Sequence, residues 1–101
     1  MHSRSRPSHR PEGESRVVTL LRRARRARLR GEARQAMLAV REACFACRTD
    51  ARLWALYGAA CRRASRHDEA KDAIRQAIWL RERERDSRRA GSLQRLLLTL
   101  D

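Results

Sequence analysis

Two parts of the chain align with each other at a single offset in the residue numbering, and that offset is 34. At this offset, small residues meet small residues, apolar residues meet apolar residues, and one turn residue meets another. The aligned pairs are Leu20 with Trp54, Ala24 with Gly58, Ala27 with Cys61, Gly31 with Ser65, Ala36 with Ala70, Val40 with Ile74, Ala43 with Ala77, and Cys44 with Ile78. Periods of roughly 20–50 residues are typical of repeat proteins, in which each unit buries its apolar face against the next. The sequence therefore favours two copies of one unit.

The apolar residues of the chain are mostly Ala and Leu, which favour helix, and aromatic residues make up only 4%. Apolar positions recur three and four residues apart, the spacing of one helix face. The pattern predicts an all-α protein of about five helices, with Ser15 as the first N-cap and Asp86 or Ser87 as the last. Since no Gly or Pro lies near Arg83–Arg85, the last two helices could run together. The first four predicted helices span residues 17–29, 33–48, 51–64 and 68–82.

The second copy contains Trp54-x-x-Tyr57-Gly58, followed by Asp68-Glu69-Ala70-x-x-x-Ile74-x-x-Ala77. This pattern and the period resemble the tetratricopeptide repeat, a pair of antiparallel helices. The resemblance implies that Gly58 and Ala70, like Ala36 and Ala43 in the first copy, are small where helices cross closely. The family's closing proline is absent, since Arg48 and Glu82 stand there, and Arg23 replaces a usual large apolar residue. The alternative is an Ala-rich bundle with accidental periodicity.

Residues 1–15 contain almost no apolar residue, which predicts a flexible basic tail, and one helical domain, 16–101, follows it. Within the domain, 17–50 and 51–84 are the two repeats, and 85–101 is a closing helix. Because about three repeats are usually needed for an independent array, self-association is one expected outcome.

Arginine and lysine number 25 against 12 acidic residues, a net charge of +13, and Lys71 is the only lysine. Such an excess attracts polyanions. A basic patch is predicted on the first helix, at Arg22, Arg23, Arg26 and Arg30. In tetratricopeptide proteins the first helix of each repeat lines a concave groove, so the resemblance implies that further arginines face a partner there. These are Arg25, Arg28, Arg52, Arg62 and Arg63.

Guanidinium groups suit carboxylates and phosphates, so the predicted partner is an acidic or phosphorylated protein segment. The function that follows is that of a non-catalytic adaptor or scaffold. The competing hypothesis is a nucleic-acid-binding protein that uses the tail and the first helix for phosphate contacts without reading sequence. A solvated basic surface without function is the third alternative. Leu21, Ala55 and Ala59 do not fit the clamp with which some family members bind acidic carboxyl termini.

The chain contains no apparent catalytic motif, and no cofactor is predicted. Cys44 and Cys47 form a C-x-x-C within a predicted helix, and Cys44 and Cys61 fall on core positions, so core packing is favoured over a zinc site. Three cysteines agree with a reducing, cytoplasmic location, and no membrane span is predicted. Phe45 and Trp79 correspond at the same offset of 34 and are predicted either to form a second contact surface or to pack on the following helix.

Overall fold

The computed structural model describes residues 12–100, with side chains from Ser15 onward. Within this part the chain forms five α-helices and no strand, so the prediction of an all-α protein with about five helices is confirmed. Residues 1–11 of the predicted tail and Asp101 lie outside the described residues. The helices are α1 (Glu12–Leu29), α2 (Ala33–Ala46), α3 (Ala51–Arg63), α4 (His67–Arg83) and α5 (Ser87–Leu98).

Connections of three or four residues join the helices, and each helix packs against the next one in the chain. We refer to α1 and α2 as the first helix pair and to α3 and α4 as the second. The last residues of α1 and α3 are separated by the same offset of 34, and so are the first residues of α2 and α4.

Three of the connections use the same backbone turn. Gly31, Ser65 and Arg85 have φ angles of 75°, 60° and 59°, in the left-handed region that terminates many helices. In each turn the following amide donates to a carbonyl five residues earlier, as Glu32 does to Ala27 at 2.9 Å. The left-handed conformation of Arg85 separates α4 from α5, so the expectation that they could run together is wrong.

The N-terminus of α1 also differs from the prediction. The helix begins at Glu12, and Ser15 lies inside its first turns rather than at its cap. Residues 12–15 of the predicted tail are therefore helical. The other caps include Asp50 and Asp86, whose carboxylates accept backbone N–H groups of α3 and α5.

Small residues allow α3 and α4 to approach closely. A Cβ atom at Gly58 would lie 2.5 Å from Ile74 Cδ1 and 3.4 Å from the Ala70 carbonyl oxygen. Ala70, Ile74 and Ala77 are fully buried. The core continues through the first pair with Leu20, Ala24, Ala36, Val40 and Ala43, and at α5 with Ala90 and Leu100.

Candidate functional site

A groove of about 550 Å³ opens between α1, α2 and α3. Its floor is apolar, formed by Val18, Leu21, Ala24, Ala36, Val40, Leu56 and Ala60. Its remaining lining residues are all arginines, namely Arg22, Arg25, Arg28, Arg52 and Arg63. We call this site the arginine groove, and none of the described acidic residues lines it.

Helical spacing explains how these residues reach one groove. On α1, Arg22, Arg25 and Arg28 follow one another at intervals of three residues, which keeps them on adjoining parts of one face. On α3, Arg52 and Arg63 lie at the two ends of a stripe that includes Leu56 and Ala60. Both helices therefore present a strip of apolar residues edged by guanidinium groups.

The groove arginines are exposed and lack acidic partners. None of the five forms an ion pair with an acidic side chain within the described part of the chain. Partial burial and the nearby positive charge of Arg28 lower the pKa of Arg63. Two positive groups therefore face each other at this end of the groove without a compensating anion, so an anionic ligand would gain from both.

Several arginines elsewhere on the surface are paired. Arg66 forms an ion pair with Glu69, and Arg16 reaches Glu42 at 2.8 Å. Others contact aromatic rings, as Arg83 does over Trp79 at 4.7 Å from the ring centroid. The absence of partners is thus not a general property of arginine in this chain.

The charge distribution follows the alternation of helices. Six basic and two acidic residues lie on α1, three basic and none acidic on α3, and three basic and none acidic on α5. By contrast, α2 has two basic residues and one acidic residue, and α4 has four of each. Counting charge helix by helix along the sequence would have singled out α1, α3 and α5.

The structure places four of the five residues predicted to face a partner in the arginine groove: Arg25, Arg28, Arg52 and Arg63. Arg62 is exposed but is not among the lining residues, because Arg63 and not Arg62 lies on the face of α3 that borders the groove. Arg22, predicted as part of the basic patch, lines the groove as well. The apolar floor, including Val18 and Leu56, was not foreseen.

The other members of the predicted basic patch lie outside the groove. Arg23 lines a separate depression with Arg16 and Thr19, and Arg26 is exposed. Arg30 forms an ion pair with Glu32 at 3.3 Å. The predicted patch therefore divides into Arg22, which joins the groove, and residues that face other directions.

The cysteines pack in the core. Cys44 and Cys61 are completely buried, whereas Cys47 is half-buried. Burial raises the pKa of Cys44 to about 12 and also raises the pKa of Cys61. These thiols are poor nucleophiles near neutral pH, since the thiolate is the reactive form. Among the described residues, no group of three or more Cys, His, Asp or Glu side chains is arranged to hold a metal ion.

Phe45 and Trp79 are each 49% exposed. Phe45 packs edge to face against Trp54 of the following helix, with ring centroids 6.3 Å apart, and Arg48 covers part of its exposed ring. The indole N–H of Trp54 donates to the Arg48 carbonyl at 2.8 Å. Phe45 thus packs on the next helix, as one of the two alternatives predicted, while its role in a second contact surface stays a prediction.

Comparison with protein-family models, with curated proteins and with solved structures finds no significant match to this chain. In the described residues, no helix combines the length and the apolar character needed to cross a bilayer.

Proposed function

We propose that the protein is a non-catalytic binding module that holds an acidic or phosphorylated segment of another protein in the arginine groove. The observation that carries this proposal is the convergence of five exposed arginines around an apolar floor, none of which makes an ion pair with a described acidic side chain. Carboxylates and phosphates accept hydrogen bonds from guanidinium groups, and the floor suits the apolar side chains that a protein segment carries between its acids.

The proposal includes a tetratricopeptide-like architecture of two repeats with a closing helix. Its support is the recurrence of helix ends, left-handed turns and small buried residues at an offset of 34, as at Gly31 and Ser65. The proposed location is the cytoplasm, supported by cysteines that pack as small apolar residues without bridging.

Nucleic-acid binding is the second candidate, and a specific observation favours it. Arg23, Arg26 and Arg62 are exposed, make no ion pair with a described acidic side chain, and lie outside the groove. Positive charge is therefore spread around α1 and onto α3 beyond the groove, as a sequence-independent phosphate binder requires. The groove is preferred because a phosphate backbone needs no apolar floor.

A competition at physiological ionic strength separates the two functions. A fluorescein-labelled peptide of alternating glutamate and leucine is bound to the protein, and a mixed-sequence oligonucleotide of equal charge is titrated against it. We expect the peptide to remain bound, because the floor adds salt-independent affinity that phosphate contacts lack. The nucleic-acid function would be supported instead if the oligonucleotide displaced the peptide. In that case Arg26→Glu, outside the groove, and Arg25→Glu, within it, should lose oligonucleotide binding equally.

A further inference from the structure

A second cavity of about 300 Å³ adjoins the arginine groove between α3, α4 and α5. Arg52 and Leu56 line both cavities, so the two share a wall on α3. The floor of the second cavity is apolar, with Ala55 of α3 and Leu93 of α5. Together the two cavities form one continuous surface that crosses α1, α3 and α5.

The two cavities differ in electrostatics although both contain arginine. In the second cavity, Arg81 forms an ion pair with Glu84 at 3.2 Å, and Arg89 forms one with Asp86 at 2.9 Å. Asp86 also accepts the backbone N–H of Arg89 at 3.0 Å, which fixes its carboxylate in place. These two guanidinium groups already have their anions, whereas the shared Arg52 makes no ion pair with a described acidic side chain.

We propose that the partner segment has two parts, an acidic stretch that lies in the arginine groove and an uncharged apolar stretch that lies in the second cavity. This inference rests on the proposed function and adds the chemistry of the segment and its orientation across the helices. An acidic side chain over Arg81 and Arg89 would gain little, because Glu84 and Asp86 already balance the charge of these two arginines. An apolar side chain needs no charged partner there and would cover Leu56 and Leu93.

Synthetic peptides test the arrangement. One has an acidic half of alternating glutamate and leucine joined to a half of alternating leucine and serine, each about six residues long, since six extended residues span about 20 Å, or two helix diameters. A second peptide keeps the acidic half and has only serines in the other. The two-part peptide is prepared in both chain directions, and the tighter binder is used. Fluorescence anisotropy reports the Kd of each.

The two-part peptide should bind about tenfold more tightly than the acidic–serine peptide, as expected for one or two buried leucines. Leu93→Ser should remove this advantage and leave the acidic–serine peptide unaffected. Leu98→Ser is the matched control, because Leu98 lies on the same helix, is 75% exposed and lines neither cavity. If Leu93→Ser lowers stability, Ser92→Gln places a larger side chain in the cavity from an exposed position and should have the same effect.

Equal affinity of the two peptides, or an advantage that survives both cavity variants, would overturn the two-part segment while leaving the arginine groove intact. Failure of the acidic–serine peptide to bind at all would instead overturn the proposed function.

Discussion

The first and second helix pairs differ at corresponding positions of their buried contact. In the second pair, Gly58 lies against Ile74, and the space beside the glycine is filled by the isoleucine side chain. In the first pair the corresponding residues are Ala24 and Val40, both buried. The side chains of each combination contain four carbon atoms. The comparison teaches that the two pairs conserve the volume at this position rather than the residues, as close packing requires.

The two pairs also differ in charge. All the described basic residues of α1 are arginines, and the helix has acidic residues only at its start, whereas α4 carries as many acidic as basic residues. The first pair thus supplies three of the groove arginines, and α3 of the second pair supplies the other two. The two pairs are thus similar in their buried packing, and the arginines between them give the groove its positive charge.

The largest effect is expected from a charge placed in the second pair. Ala70→Asp would bury a carboxylate at a position with no exposed surface, at a cost of about 3 kcal/mol or more. The corresponding Ala36→Asp should cost less, because Ala36 lines the groove beside unpaired arginines. Urea denaturation followed by circular dichroism measures both variants. An Ala70→Asp protein as stable as the parent would contradict the close contact of α3 with α4.

A smaller loss of stability is expected when the second pair is given the residues found at the corresponding positions of the first. Gly58→Ala should lower the free energy of unfolding by about 1–3 kcal/mol, because its Cβ would collide with Ile74. Adding Ile74→Val reproduces the composition of the first pair and should restore most of this loss. Gly91→Ala is the control: its nearest neighbour would be 3.7 Å away, so it should stabilise by about 0.5–1 kcal/mol. The volume argument fails if Ile74→Val makes Gly58→Ala worse.

The stability that the contact between the two pairs gives the folded protein should fall gradually at alkaline pH. Burial raises the pKa of Cys44 in α2 to about 12 and that of Tyr57 in α3 to about 12. A group whose pKa is higher in the folded state contributes stability below its unfolded pKa and loses it as the pH rises. The thermal midpoint should therefore fall between about pH 9 and 12. A Cys44→Ala variant, which keeps a small apolar side chain, should show a shallower fall, and an identical fall would exclude this thiol as a cause.

The turns and small buried residues of the fold could be predicted from the sequence where the first and second helix pairs share the same packing. The offset of 34 located the turns at Gly31 and Ser65 and the small residue at Gly58, because helix periodicity and side-chain size are local properties of sequence. The turn at Arg85 was not foreseen, since a left-handed arginine leaves no compositional signal. The helix start at Glu12 was missed because Ser15 belongs to the residue types preferred at an N-cap and was therefore predicted to begin the helix.

The candidate site followed from the sequence only in part. The helix that contributes each groove arginine was predictable, but the choice of Arg63 over Arg62 depends on the angular position of each residue on α3. The angular position around the helix axis changes by about 100° from one residue to the next. The second cavity was also not predictable, because it arises from how α5 packs beside α3. The ion pairs of Arg81 with Glu84 and of Arg89 with Asp86, by contrast, join residues three apart and could have been predicted from the sequence.

The choice between Arg62 and Arg63 gives the most direct test of the arginine groove. The two residues are adjacent in the last turn of α3, both are exposed, and reversal of either changes the net charge equally. Kd for the labelled glutamate–leucine peptide is measured for Arg63→Glu and Arg62→Glu at physiological ionic strength. We expect Arg63→Glu to weaken binding about thirtyfold or more, through direct repulsion in a partly desolvated site. Arg62→Glu should weaken it less than about threefold, because solvent and salt screen a charge outside the groove. Equal losses in the two variants would show that the peptide responds only to overall charge, and would contradict the arginine groove as the binding site.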